Sequence, residues 1–189
     1  MITLILLSIL ILLVILSGFL SGSETAITAA SKARIIYKVK KGSKRAGYLL
    51  EMLDKKDNVI SSLLLSNNLV NILASSLATA FFYDIFGVKG IFYSTLLMTV
   101  ILVIFAEVLP KTYAINKPTR TALIISPIIY HLNRLLFIFV FLINQVVRLI
   151  FKKNENDKNV SDKQSEEELK GVIDLYKTSN PDYEQEKEM

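Results

Sequence analysis

The sequence predicts an all-α membrane protein with three transmembrane helices, a juxtamembrane belt helix at the cytoplasmic interface, and short amphipathic helices between the first two spans. The chain has 189 residues, of which 52% are hydrophobic, and its mean hydropathy is +0.44. Its apolar residues collect into long runs, and a helix needs about 20 such residues to cross a bilayer. Basic residues cluster between these runs, as they do in cytoplasmic loops.

The first span is predicted at residues 2–20, an apolar run that carries no charge. Residues 21–26 (Ser-Gly-Ser-Glu-Thr-Ala) follow it with no intervening loop. Polar groups at membrane depth are costly, because no water is present there to bond with them. The cluster therefore marks either the point where the chain leaves the membrane or a polar site inside the protein.

The next segment, residues 32–56, carries nine basic residues with apolar residues between them. This pattern predicts two short amphipathic helices hinged at Gly42, in a cytoplasmic loop attracted to anionic lipid. A nucleic-acid patch is the alternative, but no nucleic-acid-binding motif supports it, and no nucleic-acid partner is expected. With this loop in the cytoplasm, Met1 lies outside the cell.

Two further spans are predicted, at residues 59–83 and 91–109, joined by a short external connection. Small residues along both spans would permit a close helix–helix contact, either between two copies of the chain or within one copy. These small residues are Ala74, Ser75, Ala78, Ser94 and Thr95.

Residues 121–151 are apolar, but we expect them to lie at the cytoplasmic interface rather than cross the membrane. The segment contains Pro127, its uninterrupted apolar core is only residues 135–143, and both of its flanks are basic. An amphipathic helix broken at the proline fits these features. A fourth span, which would place the tail outside the cell, is the alternative.

The predicted organisation is a transmembrane domain over residues 1–153 and a cytoplasmic acidic helical linker over residues 154–189. The linker holds eleven acidic residues against five lysines. No further domain follows it in this sequence, so we expect the chain to be a piece of a longer protein.

Two later stretches resemble residues 21–26 in character, namely residues 66–71 (Ser-Asn-Asn-Leu-Val-Asn) and 106–110 (Ala-Glu-Val-Leu-Pro). Asn67 and Asn71 are four residues apart and share a helical face. Hydrogen bonding between helices is the alternative role for such amides. Glu107 is a carboxylate inside an apolar run, which indicates function by default, unless Lys111 marks this position as the interface.

The three stretches together predict one cation site inside the membrane. Pro110 has no N–H, so the carbonyl of Ala106 would lack its helical partner. Hydroxyl, amide, carbonyl and carboxylate oxygens suit Mg²⁺, Ca²⁺ or Na⁺. The chain has no cysteine and one histidine, His131, which excludes thiolate and multi-histidine metal sites. No nucleophile lies beside a base, so an enzyme is not expected.

At these stretches the sequence resembles the transmembrane domain of the CorC/CNNM (cyclin M) family of magnesium transporters. The stretches occur in the family's order at similar spacing, and the resemblance covers about residues 1–153. It implies a multi-pass homodimer of the plasma membrane that binds a dehydrated Mg²⁺ and exports it, driven by Na⁺ entry. It also implies a cytoplasmic CBS-domain pair in the full-length protein.

The resemblance also implies a set of site residues. The candidate metal ligands are Ser21, Ser66, Asn67, Asn71 and Glu107. Gly22 and Pro110 would shape the backbone, and Glu24 is a candidate for binding Na⁺. Position 66 is Ser where Gly is common in the family. The competing interpretation is a non-transporting membrane scaffold or Mg²⁺ sensor, in which the polar stretches only pack helices together.

Overall fold

The structure, a computed structural model, describes residues 2–136 and positions 139 and 145. Throughout this part of the chain the regular structure is helical, with no strand. The elements are α1 (Ile2–Thr28), α2 (Lys32–Lys40), α3 (Lys44–Asp54), α4 (Lys56–Phe86), α5 (Val88–Ile101), a π-helical segment (Leu102–Val108), α6 (Leu109–Asn116) and α7 (Pro118–Leu135).

Three of the described stretches are long and apolar enough to cross a membrane: Thr3–Thr28, Lys56–Phe86 and Val88–Asn116. Large apolar side chains such as Ile72 and Phe92 are exposed on them, as expected for a surface that faces lipid. The predicted all-α fold with three spans is confirmed. Each of the three spanning stretches is longer than the span that the sequence predicted.

The first span does not end at Leu20, because α1 continues through the 21–26 stretch to Thr28. Two of the three hydroxyl groups of this stretch bond within their own helix: Ser23 Oγ donates to the Phe19 carbonyl at 2.6 Å and Thr25 Oγ1 to the Ser21 carbonyl at 3.2 Å. Bonds of this kind let serine and threonine remain in a helix at membrane depth. The stretch is therefore part of the span.

The basic segment forms the two predicted amphipathic helices, α2 and α3. Gly42 lies between them with φ +81°, a left-handed conformation that favours glycine. Ser43 then caps α3 by accepting a hydrogen bond from the Ala46 N–H at 3.4 Å. The hinge at Gly42 is confirmed.

The third span changes its winding ahead of Pro110. Residues Leu102–Val108 are π-helical, and the Leu109 N–H donates to the carbonyl of Ile104, five residues earlier. A proline removes one helical hydrogen bond and its ring collides with the carbonyl four residues back. A π turn is one way in which a helix accommodates that collision.

Helix α7 is amphipathic, but it is not broken at Pro127 as the sequence predicted. It runs without interruption from Pro118 to Leu135. Pro127 leaves the Leu123 carbonyl without its usual partner, and the Ser126 hydroxyl lies 3.1 Å from that carbonyl and 3.0 Å from the carbonyl of Arg45. These contacts hold the helix together across the proline. Most of the uninterrupted apolar core predicted at residues 135–143 lies outside the described residues. The predicted linker, residues 154–189, lies outside them as well.

α7 packs against α3 and α1, with Ala122, Ile125 and Ile129 buried in one apolar cluster with Ile35 and Leu49. On its flank, Tyr130 stacks against Tyr48 with ring centroids 4.8 Å apart. The negative charge of the nearby Glu51 carboxylate raises the pKa of the Tyr130 phenol. The belt helix α7 is thus held against α1 and α3 by apolar packing and by the stacked tyrosine rings.

A second apolar cluster joins the spans themselves and consists of Leu10, Ala74, Ala78 and Met98. Ala74, Ala78 and Ser94 are fully buried within the single chain. Ala74, Ala78 and Ser94 therefore pack within one copy of the chain. Their small size lets α4 and α5 lie close together. Ser75 is half-buried and Thr95 is exposed, and the dimer face stays a prediction.

Candidate cation site

Ser17, on α1, makes the central polar contact between the spans. Its Oγ lies 2.8 Å from Asn67 Oδ1 and 2.6 Å from Asn71 Oδ1, both on α4. Ser17 is fully buried, and Asn67 is 8% exposed. The sequence predicted that the two asparagines share a helical face, and the structure shows that this face of α4 meets α1.

This contact brings three oxygen atoms together with a single hydroxyl proton. A serine hydroxyl donates one hydrogen bond, so it satisfies one amide oxygen and leaves the other with no proton. Turning one amide by 180° would place an N–H donor there and give an ordinary bond between helices. With the oxygens inward, the cluster has the donor set of a hard cation site.

Ser21 lies one helical turn beyond Ser17 on the same face of α1. It is fully buried, and its Oγ has no hydrogen-bond partner within the described part of the chain. An unsatisfied buried hydroxyl costs about 1–3 kcal/mol. Because Ser23 and Thr25 in the same stretch are bonded to helix carbonyls, Ser21 alone among these three hydroxyls is left for a ligand.

Two glycines let α1 approach the third span closely. A Cβ atom on Gly18 would lie 3.1 Å from the Phe105 carbonyl oxygen and 3.2 Å from the Pro110 ring. A Cβ on Gly22 would lie 3.3 Å from Pro110. The backbone of the π-helical segment is therefore packed against α1 directly beside Ser17. This supports the expectation that Gly22 and Pro110 shape the backbone here.

Ser66 is buried, but its hydroxyl is used elsewhere. Its Oγ donates to the Ser62 carbonyl at 2.7 Å, and the Ser62 hydroxyl in turn donates to Asn133 Oδ1 of α7 at 2.6 Å. The Ser66 oxygen retains lone pairs that can accept or coordinate. Among the described residues, no hydrogen bond joins the Ser66 side chain to the Ser17 cluster.

Glu107 lies on the π-helical segment and is half-buried, next to Ala106, which is fully buried against Gly18. Its carboxylate forms no hydrogen bond or ion pair with the residues that the structure describes. Among the described residues it forms no hydrogen bond with the Ser17 cluster, and neither does the Glu24 side chain on α1, which is likewise half-buried. Within residues 2–136 no group of three acidic or histidine side chains is found, so a cation bound there would rely on hydroxyl, amide and carbonyl oxygens as well.

The structure thus joins Asn67 and Asn71 through Ser17 and places Ser21 one turn from Ser17 on α1. Ser66 lies on α4 with its hydroxyl bonded to the Ser62 carbonyl, and Glu107 lies on the π-helical segment. The predicted ligand set stays a prediction. The sequence analysis missed Ser17, because one serine inside the apolar run 2–20 hardly changes the mean hydropathy of that run. Its spacing of four residues before Ser21 is the signal that would have found it.

A polar stripe continues from the cluster along α4. Asn67, Asn71, Ser75 and Thr79 follow one another at intervals of four residues. The far end of the stripe opens into a groove of about 570 Å³. Its lining consists of Ser75, Ser76, Thr79, Ala80, Tyr83, Asp84 and Ile91. Hydroxyl groups therefore extend from the cluster to a carboxylate at the end of the span.

These features define a multi-pass membrane protein with a buried oxygen cluster between its spans. Residues 8–186 match the cyclin M transmembrane N-terminal domain. The chain belongs to the CorC/CNNM family. The resemblance drawn from the three polar stretches is confirmed.

Relatives in bacteria and plants agree with this assignment. The chain is 36% identical over 84% of its length to the UPF0053 inner membrane protein YfjD of Escherichia coli, and covers 37% of that protein. It is 32% identical over 87% of its length to a UPF0053 protein of Haemophilus influenzae, and covers 40% of it. A putative DUF21 domain-containing chloroplastic protein of Arabidopsis thaliana is 26% identical over 92% of the chain. The chain thus spans about two fifths of the bacterial relatives it matches.

Proposed function

We propose that this domain binds a dehydrated Mg²⁺ between its spans and exports it from the cell. The observation that carries the proposal is the Ser17 cluster, in which the oxygens of Ser17, Asn67 and the part-buried Asn71 share one proton. A cation bound there would be coordinated by the amide oxygen that receives no proton, and would give the Ser21 hydroxyl a partner. Membership of the CorC/CNNM family supports a transport role.

The chemistry of the donors favours Mg²⁺. Mg²⁺ takes six oxygen ligands at about 2.0–2.1 Å in near-octahedral order, whereas Ca²⁺ accepts looser and larger shells. Short side chains on packed helices can close around the smaller ion. Ser17, Ser21, Asn67 and Asn71 are neutral, so Glu107 supplies the negative charge, and a small movement of the π-helical segment against α1 would bring it in. Ser66 adds a further hydroxyl oxygen.

Export requires a source of energy, and in this proposal Na⁺ entry supplies it. The same oxygens or the Glu24 carboxylate bind Na⁺, so the two ions compete. The stripe from Asn71 to Asp84 gives ions a hydroxyl-lined approach from the outer end of α4. The functional unit is a homodimer in the plasma membrane, with its N-terminus outside, its tail in the cytoplasm, and a CBS-domain pair in the full-length protein.

The test is Mg²⁺ flux from liposomes that contain the purified domain, measured with and without a Na⁺ gradient. We expect flux that saturates with Mg²⁺ and increases with the gradient. A parallel measurement of thermal unfolding in Mg²⁺, Mn²⁺, Ca²⁺ and Na⁺ reports binding alone. Saturable binding without flux would favour the sensor, and the absence of both would favour the scaffold. Stronger protection by Ca²⁺ than by Mg²⁺ would contradict the proposed selectivity.

A further inference from the structure

A second polar feature lies away from the cation site, between α2 and the start of α7. It is a groove of about 730 Å³ in which four side chains are positively charged. Its lining consists of Arg34, Lys38, Asn116, Lys117, Pro118, Thr119, Arg120, Leu123 and Ile124. Pockets that hold small ligands have volumes of roughly 300–1,000 Å³, so the groove is large enough for one.

Two of the cations, Arg34 and Lys38, lie on α2, and the other two lie at the start of α7, far away in sequence. Of the residues that the structure describes, no carboxylate lines the groove with them. The ion pairs among the described residues are Lys32 with Asp54 and Lys55 with Glu51, and neither pair includes a lining residue. Four like charges without counter-ions repel one another. The fold brings them together nonetheless, which points to an anionic ligand between them.

The groove lies at the end of the third candidate span, at the level where the lipid headgroups of a bilayer are expected. Asn116 is the last residue of the third candidate span, and α7 begins at Pro118 directly after it. Leu123 and Ile124 give the groove an apolar wall, and Ile124 is 55% exposed. Cationic side chains beside an apolar wall at the end of a span suit a phosphodiester headgroup above acyl chains. A free anion has no acyl chain that could contact this apolar wall.

The backbone adds hydrogen-bond donors to the charges. No side chain caps the first turn of α7, and its first backbone hydrogen bond runs from the Thr121 N–H to the Lys117 carbonyl. The N–H groups of Thr119 and Arg120, both at the groove, therefore precede that bond. Such groups together with basic side chains are the means by which proteins bind phosphate oxygens.

We propose that this groove is a specific site for the headgroup of an anionic phospholipid, held between α2 and α7. The inference is independent of which ion the domain transports. It differs from the general attraction of a basic loop to a charged bilayer, because it assigns the headgroup to particular residues. A bound lipid here would tie α2 to the start of the belt helix.

The experiment compares two double variants of the 189-residue protein. In the first, Lys38→Gln and Lys117→Gln remove one cation from each side of the groove. In the matched control, Lys40→Gln and Lys44→Gln remove two exposed lysines that do not line it. Both pairs change the net charge equally. Binding of phosphatidylglycerol and phosphatidylcholine is measured by native mass spectrometry in detergent. Thermal unfolding is followed with phosphatidylglycerol and, separately, with inorganic phosphate.

We expect the unaltered protein and the control to retain phosphatidylglycerol in preference to phosphatidylcholine. The groove variant should bind phosphatidylglycerol roughly 10- to 30-fold more weakly. Equal losses in both variants would show diffuse attraction and overturn the site, as would equal retention of the two lipids. Protection by inorganic phosphate as strong as that by phosphatidylglycerol would overturn the assignment to lipid. If the double variant unfolds, Arg34→Gln, an exposed position on α2, replaces it.

Discussion

The hydroxyl of Ser17 can be a packing contact or a ligand, and a single substitution separates the two roles. Ser17→Ala removes one oxygen from the cluster and leaves the two amides of Asn67 and Asn71 facing each other. If Ser17 is a ligand, Mg²⁺ affinity measured by calorimetry should drop about tenfold, which corresponds to about 1.4 kcal/mol.

Ser8→Ala is the matched control, because Ser8 lies on the same helix, is exposed, and bonds only the Leu4 carbonyl at 2.8 Å. It should leave Mg²⁺ binding unchanged. A Ser17→Ala protein that unfolds at a lower temperature but binds Mg²⁺ normally would show that the contact only packs helices.

Glu107 is the proposed source of charge in the site. Glu107→Gln keeps the shape of the side chain and removes its negative charge, so we expect Mg²⁺ affinity to fall about 100-fold or more, since a dehydrated divalent ion needs a charged ligand. Asp57→Asn, an acidic residue in the first turn of α4, is the control. Normal calorimetric binding by Glu107→Gln would remove Glu107 from the ligand set.

At the level of residues, the sequence predicted which side chains share a helical face. It missed the hydrogen-bond partners, which depend on contacts between helices. The shared face of Asn67 and Asn71 follows from their four-residue interval. The bond from Ser66 to the Ser62 carbonyl does not, because serine chooses between its own helix and a neighbour according to what the neighbour offers. The pairing of Ser17 with α4 depends on how two helices rotate against each other.

At the level of elements, the contact between α1 and the π-helical segment depends on glycine. Gly18→Ala would place a methyl group 3.1 Å from a backbone carbonyl and 3.2 Å from a proline ring, neither of which can move freely. We expect a loss of about 1–3 kcal/mol in the free energy of unfolding, seen as a lower unfolding temperature.

Gly47→Ala provides the comparison. Gly47 lies in α3, and a Cβ there would meet nothing within 4 Å. Alanine is the better helix former by roughly 1 kcal/mol, so this variant should be slightly more stable. Equal stability changes at the two positions would mean that α1 is not packed as tightly as described.

The number and order of the helices follow from hydropathy and charge, but their ends do not. Hydropathy averages ended the first span where polar residues began, whereas hydrogen bonds from serine and threonine carry the helix eight residues further, to Thr28. Pro110 and Pro127 look alike in sequence. One adjoins a π turn and the other sits in a continuous helix with a hydroxyl beside the freed carbonyl.

At the level of the whole molecule, the topology can be measured directly because the chain has no cysteine. Single cysteines at Lys56, Lys89 and Lys158 report on the start of α4, the start of α5 and the C-terminal segment. We expect positions 56 and 158 to react with impermeant reagents only from the cytoplasm and position 89 only from outside, because basic flanks remain inside. Labelling of position 158 from outside would establish a fourth span.

The stripe along α4 makes a prediction about rate rather than affinity. Asp84 lies at the mouth of the groove and concentrates cations there, so Asp84→Asn should slow Mg²⁺ flux in liposomes several-fold with little change in equilibrium binding. Asp57→Asn, at the opposite end of the same helix, serves as the control. A change in affinity equal to the change in flux would place Asp84 in the site itself.

The bond between Ser17 and α4 also has a consequence for how the protein assembles. Its partners are 50 and 54 residues away in sequence, so they are not in place when the first helix enters the membrane. Ser8 shows what a serine does without a partner, since its hydroxyl returns to the carbonyl four residues earlier in its own helix. Before α4 docks, we expect the Ser17 hydroxyl to donate its hydrogen bond to the carbonyl four residues earlier in α1, as the Ser8 hydroxyl does. Docking then exchanges one hydrogen bond for another, so the oxygen cluster comes into existence only as the first two spans associate.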